Sequence, residues 1–304
     1  MAVPMNSASF RATVAPILNE TFDGVYDQRT DEYSMVFKES TGIARAYHEE
    51  PVLYGFNAAP ELPDGMPVTY DSGGTLFIQR YNYKVYGLAF ALTKVLVEDG
   101  DHIQIGQTYA EHLAQSMIET KELLAANILN RAFNGSYTGG DGVALNVTNH
   151  PTANGTYSNL LTVAAAMSQT SVEQLLIQIR NAVDANGKRI NLKPLKLVSG
   201  SSNLFQAEVI LKSVLRSGTA DNDINPVKSM GLLSEGQANL ARVTSTTAWW
   251  IQTNAPKGLQ LKMRRKLEKS MEGDFETDSM RYKSTERYNF NWTNPNGIWG
   301  TAGA

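Results

Sequence analysis

The sequence predicts an α+β protein, and three observations carry that prediction. Residues 107–133 hold an apolar helical stripe that no Pro or Gly interrupts. Between about residues 165 and 240, strand-like and helix-like patterns alternate, as in a small α/β module. Thr75–Gly87 is rich in aromatic and β-branched residues and alternates in its second half as Tyr81, Tyr83 and Val85, and Asp278–Trp292 alternates through Met280, Tyr282, Tyr288, Phe290 and Trp292.

The elements follow in chain order. Phe10, Val14, Ile17, Leu18 and Phe22 recur at helical spacing, with Gly24 weakening the pattern beyond them. The stripe fits a terminal helix packed on its own core and, equally, an arm lying on a neighbouring subunit. Tyr33–Phe37 reads as a short strand. Pro51–Thr75 then gathers Pro51, Pro60, Pro63 and Pro67 with Gly55, Gly65, Gly73 and Gly74, yet also Leu53, Tyr54, Phe56, Met66, Val68 and Tyr70. Loops of this length are usually functional or disordered. This one is too apolar for a solvated linker, so an extended hairpin covering another surface is expected. Thr75–Gly87 is a strand, Leu88–Val97 a compact apolar piece and Glu98–His102 a polar turn.

In the long helix, Tyr109, Leu113, Met117, Leu124 and Ile128 share a face flanked by Ala110, Ala114, Ile118 and Leu129, and Asn134-Gly135 supplies the stop. At 1.5 Å per residue it spans roughly 40 Å. A Gly/Asn/Thr-rich loop covers 134–159. Ser171 with Gln174 three residues on is the expected cap of a helix that Gly187 ends. Pro194–Val198 is a strand, Asn203 opens a helix to about Leu215, and Asp221–Gln237 is mostly loop. Trp249–Ile251 and Leu259–Met263 are strands, and Asp278–Trp292 closes the series as a long strand or strand pair.

Composition narrows the function. The 304 residues carry 27 Lys plus Arg against 30 Asp plus Glu, four His and no Cys. The length suits about two domains. The missing Cys excludes disulfide frameworks, thiolate zinc sites, iron–sulfur clusters and Cys nucleophiles. A mildly acidic balance argues against a generally basic nucleic-acid binder. The start has no continuous apolar stretch of the secretory kind, and Tyr86–Val97 falls short of the ~20 residues a membrane span needs. Without such a signal, Asn-x-Ser/Thr triplets at Asn19, Asn134, Asn146, Asn154 and Asn291 read as chance, and a cytoplasmic setting is expected.

Chemical templates are mostly unmet. Asp99, Asp101 and His102, with His112 beyond, form a carboxylate/imidazole group that could bind a divalent ion or serve a hydrolase, but Glu-Asp-Gly-Asp is also ordinary turn chemistry. Ser199, Ser201 and Ser202 follow a strand, yet no Gly-x-Ser-x-Gly elbow exists and no His lies downstream of His150, so helix capping explains them better. Gly139–Gly142 lacks both phosphate-loop spacings. The basic run Lys262–Lys266 is compensated by Glu268, Glu272, Asp274 and Glu276, which suggests a solvated or inter-subunit face. Tyr282, Tyr288 and Trp292 could form a carbohydrate platform, but on an alternating strand they are more often core. No catalytic, cofactor-binding or metal residue is assigned, and no cofactor is expected.

Several phrases in order resemble the major capsid proteins of tailed bacteriophages, with the Hong Kong 97-like shell fold. They are Tyr86–Asp99 leading into the long helix, Asn134–Leu145 with Asn149-His150-Pro151 (similar to Mu-type head proteins), and Phe275–Lys283 followed by Arg287 and Trp292, Pro295, Ile298-Trp299-Gly300. The resemblance spans nearly the whole chain. It implies an N-terminal arm at 1–32, an extended β-hairpin loop region at 33–85, and a peripheral domain at 86–160 with its spine helix at 107–133. An axial α/β domain at 161–242 and a return to peripheral strands at 243–304 complete it.

It also implies a non-enzymatic structural protein. Self-assembly into hexamers and pentamers would close an icosahedral shell around double-stranded DNA, contacted non-specifically, with no membrane involved. The protein would be assembled in the bacterial host cytoplasm and reside in the virion. Scaffold, portal and decoration proteins are the further partners this implies. No long scaffold-like segment precedes the arm, so scaffolding would come from a separate protein or a removed extension. No Lys/Asn motif for an isopeptide crosslink is matched. A nanocompartment shell enclosing cargo enzymes is the same-fold rival, and a soluble hydrolase at Asp99, Asp101 and His102 is the rival from another class.

Overall fold

The computed structural model describes residues 7–28, 31–42, 45–93, 95–96, 102–216, 223–274 and 279–303. Two four-stranded sheets, a two-stranded hairpin and two long helices organise it. The first sheet runs β1 (Lys38–Ser40), β10 (Leu259–Gly273), β11 (Met280–Trp292), β4 (Lys84–Leu92). β10 and β11 pair antiparallel from Leu259↔Trp292 to Gly273↔Met280, with register shifts around Arg265. Along β11 every second residue from Met280 to Trp292 is buried, the period of a strand with one face on a core.

The second sheet runs β12 (Ile298–Thr301), β9 (Trp249–Thr253), β7 (Pro194–Gly200), β8 (Gln237–Leu240). Its consecutive side chains feed two different cores. Leu197, Trp249, Ile251 and Trp299 face α3 (Gln169–Arg180) and α4 (Leu204–Lys212). Val198, Trp250, Ala238, Leu240 and Ile298 face the end of the long helix and the first sheet. A sheet covered on both faces needs continuous apolar runs, which is why Trp249-Trp250-Ile251 and Ile298-Trp299 show no alternation. The module around 161–242 is therefore completed by strands from 249–253 and 298–301. Gly300 permits the close pairing, since a Cβ there would lie 2.2 Å from Trp250 Cδ1.

The long helix α2 covers His102–Asn130, about 44 Å at 1.5 Å per residue. It starts before the expected Gln107 and passes through Gly106, where a Cβ would meet Leu18 and Leu92 side chains at 3.2 and 3.4 Å. That close approach seats α1 (Ser7–Gln28) against α2. Val14, Leu18 and Phe22 of α1 are buried with Ala110, Leu113, Ala114 and Met117, so this stretch packs on its own subunit; the Phe10 side chain lies outside the described residues. Gly24 does not end the helix, which continues to Gln28. The buried stripe of α2 is centred on Ala110, Ala114, Ile118, Ala125 and Leu129, while Tyr109 stays exposed. Small Ala residues face the core because α1 and the first-sheet strands β4 and β11 approach closely there.

Other expectations are corrected. Tyr33–Met35 is a 3-10 turn rather than a strand, because the Glu122 carboxylate accepts from the backbone N–H of Glu32 and Tyr33 at 2.8 and 3.1 Å. Tyr33 and Phe37 then set their rings edge-on to Phe290. The pattern from Thr75 splits at Tyr83 into β3 (Gly74–Asn82) and β4, which enter different sheets, and β4 takes in the apolar piece through Leu92. The cap of α3 is Ser168, with Ser171 at the third helical position reciprocating; Gly187 sits in a later turn at φ 80°. α4 starts after a Ser201–Asn203 turn, and its N-cap side chain makes no capping bond; Asn203 instead donates to the Ala248 carbonyl. Within 134–159, β5 (His150–Thr152) and β6 (Gly155–Tyr157) form a small hairpin.

Candidate assembly surfaces

β2 (Tyr47–Tyr54) and β3 form an antiparallel hairpin, as the Pro/Gly-rich apolar stretch predicts. Beyond Tyr54 the chain makes a long tip that returns at Gly74. Leu53, Phe56, Leu62, Met66, Val68 and Tyr70 are all exposed, Tyr70 at 97%. Four of them, Phe56, Leu62, Val68 and Tyr70, line an open concavity of about 720 Å³ together with Pro60. Contiguous apolar surface of this kind marks an interaction site. Asp71 ties the two limbs together, accepting from the N–H of Asn57 at 2.6 Å and of Ser72 at 2.8 Å; these bonds hold its carboxyl below the usual range. Asn186 and Lys188 donate to the carbonyls of Gly55 and Phe56.

The root of the hairpin is fixed by buried charge. Glu50 of β2 accepts from Lys262 of β10 at 2.5 Å and from the Thr293 hydroxyl at 2.6 Å. Thr293 also bonds the Tyr81 hydroxyl, and the Lys262 ammonium lies 5.2 Å from the Tyr81 ring centroid. Burial pushes the Glu50 carboxyl up, but the bonds from Lys262 and Thr293 outweigh it and leave the group below its ordinary value. Lys262 is thus a buried anchor within its own subunit, which corrects, for this residue, the solvated or inter-subunit face expected of the basic run. Arg265 pairs with Glu268 at 3.2 Å at half-exposed positions, and Glu276 lies outside the described residues.

A second buried pair joins the long helix to the first sheet. Lys121 of α2 meets Glu286 of β11 at 2.7 Å, and Tyr26 of α1 donates to the same carboxylate at 2.7 Å. Tyr26, Tyr33 and Tyr288 surround the ammonium. A third group lies under the small hairpin. His150 Nδ1 faces Asp141 at 2.7 Å, its Nε2 faces Asn159 Oδ1 at 3.1 Å, and Tyr157 stacks on the ring. Asp141, His150 and Asn159 are sealed from solvent, so the trio serves structure and offers no open catalytic position.

The candidate chemistry does not converge. Asp99 and Asp101 lie outside the described residues, as does the His102 side chain. Among the described residues, no group of three or more His, Asp or Glu could hold a metal ion, and no helix is long and apolar enough to cross a membrane. Ser199 is buried in β7 while Ser201 and Ser202 are exposed on the following turn. Gly139 and Gly140 pack on Trp292 and Gln79. Tyr282, Tyr288 and Trp292 are buried core residues, which removes them as a sugar platform. One signal for the missed Lys121–Glu286 pair was in the sequence, since strict alternation along β11 puts Glu286 on the face of Tyr282 and Tyr288.

The family profile described as phage capsid protein matches residues 79–300. The chain belongs to the phage capsid protein family. No curated protein matches the sequence. Solved phage structures that align at a TM-score of 0.50 or more show the same fold at low identity. The capsid of the cyanophage P-SCSP1u is 10% identical, with 88% of this chain and 86% of that chain covered and a TM-score of 0.52. The structure titled Microbacterium phage Oxtober96 is 8% identical over 90% of each chain, with a TM-score of 0.50. A virus-like particle from Pyrococcus furiosus aligns over 94% of this chain and 98% of its own at 11% identity, with a TM-score of 0.49. The mixed helix-and-sheet architecture of this capsid protein agrees with the α+β class read from the sequence. Its conspicuous exposed feature is the hairpin tip, a surface suited to contact between subunits.

Proposed function

We propose that this capsid protein adopts the Hong Kong 97-like arrangement and self-assembles, as the major head protein of a tailed phage, into an icosahedral shell around double-stranded DNA. The observation that carries this reading is the apolar hairpin tip held out from a buried, charge-locked root. An isolated subunit gains nothing by exposing Phe56, Leu62, Met66, Val68 and Tyr70. A neighbour that covers them removes their apolar area from water, at about 25 cal/mol per Å² before the costs of association.

Each such contact is modest, and a closed shell repeats it around every capsomer, so stability accumulates through multiplicity. In this reading the hairpin is the extended loop, the long helix is the spine of a peripheral domain, and the second sheet with its helices is the axial domain. Residues 1–32 form the arm, of which the described part braces the spine of its own subunit. The role is structural, in the virion, with hexamers and pentamers as building blocks assembled in the host cytoplasm. DNA is enclosed and contacted non-specifically.

Negative-stain microscopy of the expressed protein, alone and with scaffold, tests the reading. Closed shells are expected. Monomers or small closed dimers under every assembly condition would reject it.

A further inference from the structure

A second unpartnered feature lies on the helical face of the second sheet. Phe205, in the first turn of α4, is 80% exposed, and Val209 continues its face one turn later. On the same face, α3 and α5 (Pro226–Ser229) enclose a cleft of about 410 Å³ lined by Leu176, Ile177, Pro194, Val227, Met230 and Leu232. Ile177 and Met230 stand at its rim, both more than half exposed. The two features are offset across the sheet, since α3 packs toward β12 at one edge and α4 over β7 and β8 at the other. A projecting aromatic ring and an empty apolar cleft, laterally displaced on one module, are the two halves of a head-to-tail contact.

Charge agrees with this pairing. Arg180 lines the cleft and is exposed, while the carboxylate that also lines it, Glu173, is paired with Arg216 at 3.6 Å. Glu208 sits between Phe205 and Val209 on α4 and is half exposed, bonded to the exposed Lys212 at 2.5 Å and the partly buried Gln237 at 3.1 Å. Seating Phe205 in the cleft of another copy brings a carboxylate toward a guanidinium, which favours register more than affinity. Aromatic anchors in apolar pockets are the typical centres of binding energy.

We propose that the occupant of this cleft is Phe205 of a second copy of the chain, each subunit inserting its ring into the Ile177–Met230 cleft of the next. The contact is heterologous and closes a ring. This inference rests on the shell reading and adds to it a named contact around the ring.

The chain has no native Cys, so engineered cysteines report without background. Phe205→Cys is combined with Met230→Cys in one variant and with Ile177→Cys in another, at exposed sites that leave the fold intact. After mild oxidation, non-reducing electrophoresis is expected to show a ladder reaching beyond the dimer, up to the ring size, for at least one variant. The Phe205→Cys single variant should give no more than dimers. As a second measurement, Phe205→Ala should leave the thermal midpoint of the unassembled subunit unchanged while raising the protein concentration needed for assembly by about tenfold or more. Shells by microscopy with only monomers or dimers on the gel would overturn the contact and leave the shell reading standing. Neither shells nor ladder would overturn both.

Discussion

Glu50 in β2 and Lys262 in β10, 212 residues apart, form an ion pair inside the protein that joins the extended hairpin to the first sheet. A charge pair at less than a tenth of full exposure is maintained only when hydrogen bonds satisfy both ions, and Thr293, Gln260 and His48 lie with Lys262 around the Glu50 carboxylate. The pair fixes where the hairpin leaves the body of the subunit.

Removing one partner strands the other. Glu50→Ala is expected to lower subunit stability by about 3–5 kcal/mol, read as a fall in the urea midpoint. Replacing both, as Glu50→Leu with Lys262→Met, should restore much of that loss, because no uncompensated charge remains.

The same pair predicts a pH dependence. A carboxyl held below its ordinary value of 4.5 stabilises the folded state above that value and loses its contribution as pH falls through the folded value. The difference in urea midpoint between the native chain and Glu50→Gln should therefore be full at neutral pH and shrink toward zero in acid. Glu122 runs the opposite way, since burial raises its carboxyl despite the bond from the Glu32 N–H, so its contribution weakens as pH rises. Comparison with Glu50→Gln isolates the Glu50 part.

Polar substitutions at the hairpin tip should separate folding from assembly. Leu62→Ser, Met66→Ser and Val68→Ser touch exposed side chains, so each should shift subunit stability by no more than about 0.5 kcal/mol. Shell yield, followed by light scattering, should fall sharply in the triple variant.

Trp250 is the opposite case. It is fully buried, stacks on Phe133 at 5.8 Å between centroids and donates to Asn146 at 3.1 Å. Trp250→Ala should cost about 3–5 kcal/mol and deplete soluble subunit before assembly is reached.

Periodicity made much of this fold legible. The long helix and the final strand were readable because their apolar residues recur at 3.6 and 2, and the hairpin because Pro, Gly and exposed apolar residues coincide. The turn at Tyr33 was not, because its cause is the Glu122 carboxylate some ninety residues away. Ser171 with Gln174 matches the capping-box sequence, whereas the true cap Ser168 has Ser171 in place of the Glu or Gln, so the local pattern pointed three residues too far along. Lys262 sat in a basic run that local composition paints as solvated, and its partner Glu50 comes from a different sheet. Glu286 carried a signal through its place in the alternation of β11, and Lys121 one through its place four residues after Met117 on the apolar stripe of α2.

The central claim is that the hairpin tip belongs to the interface rather than to its own subunit. A three-dimensional reconstruction of the assembled particle measures this directly. Residues 55–73 should lie across an adjacent subunit, with Phe56, Leu62, Val68 and Tyr70 buried against it. A shell in which these side chains stay exposed, or are buried only against their own chain, would contradict the account.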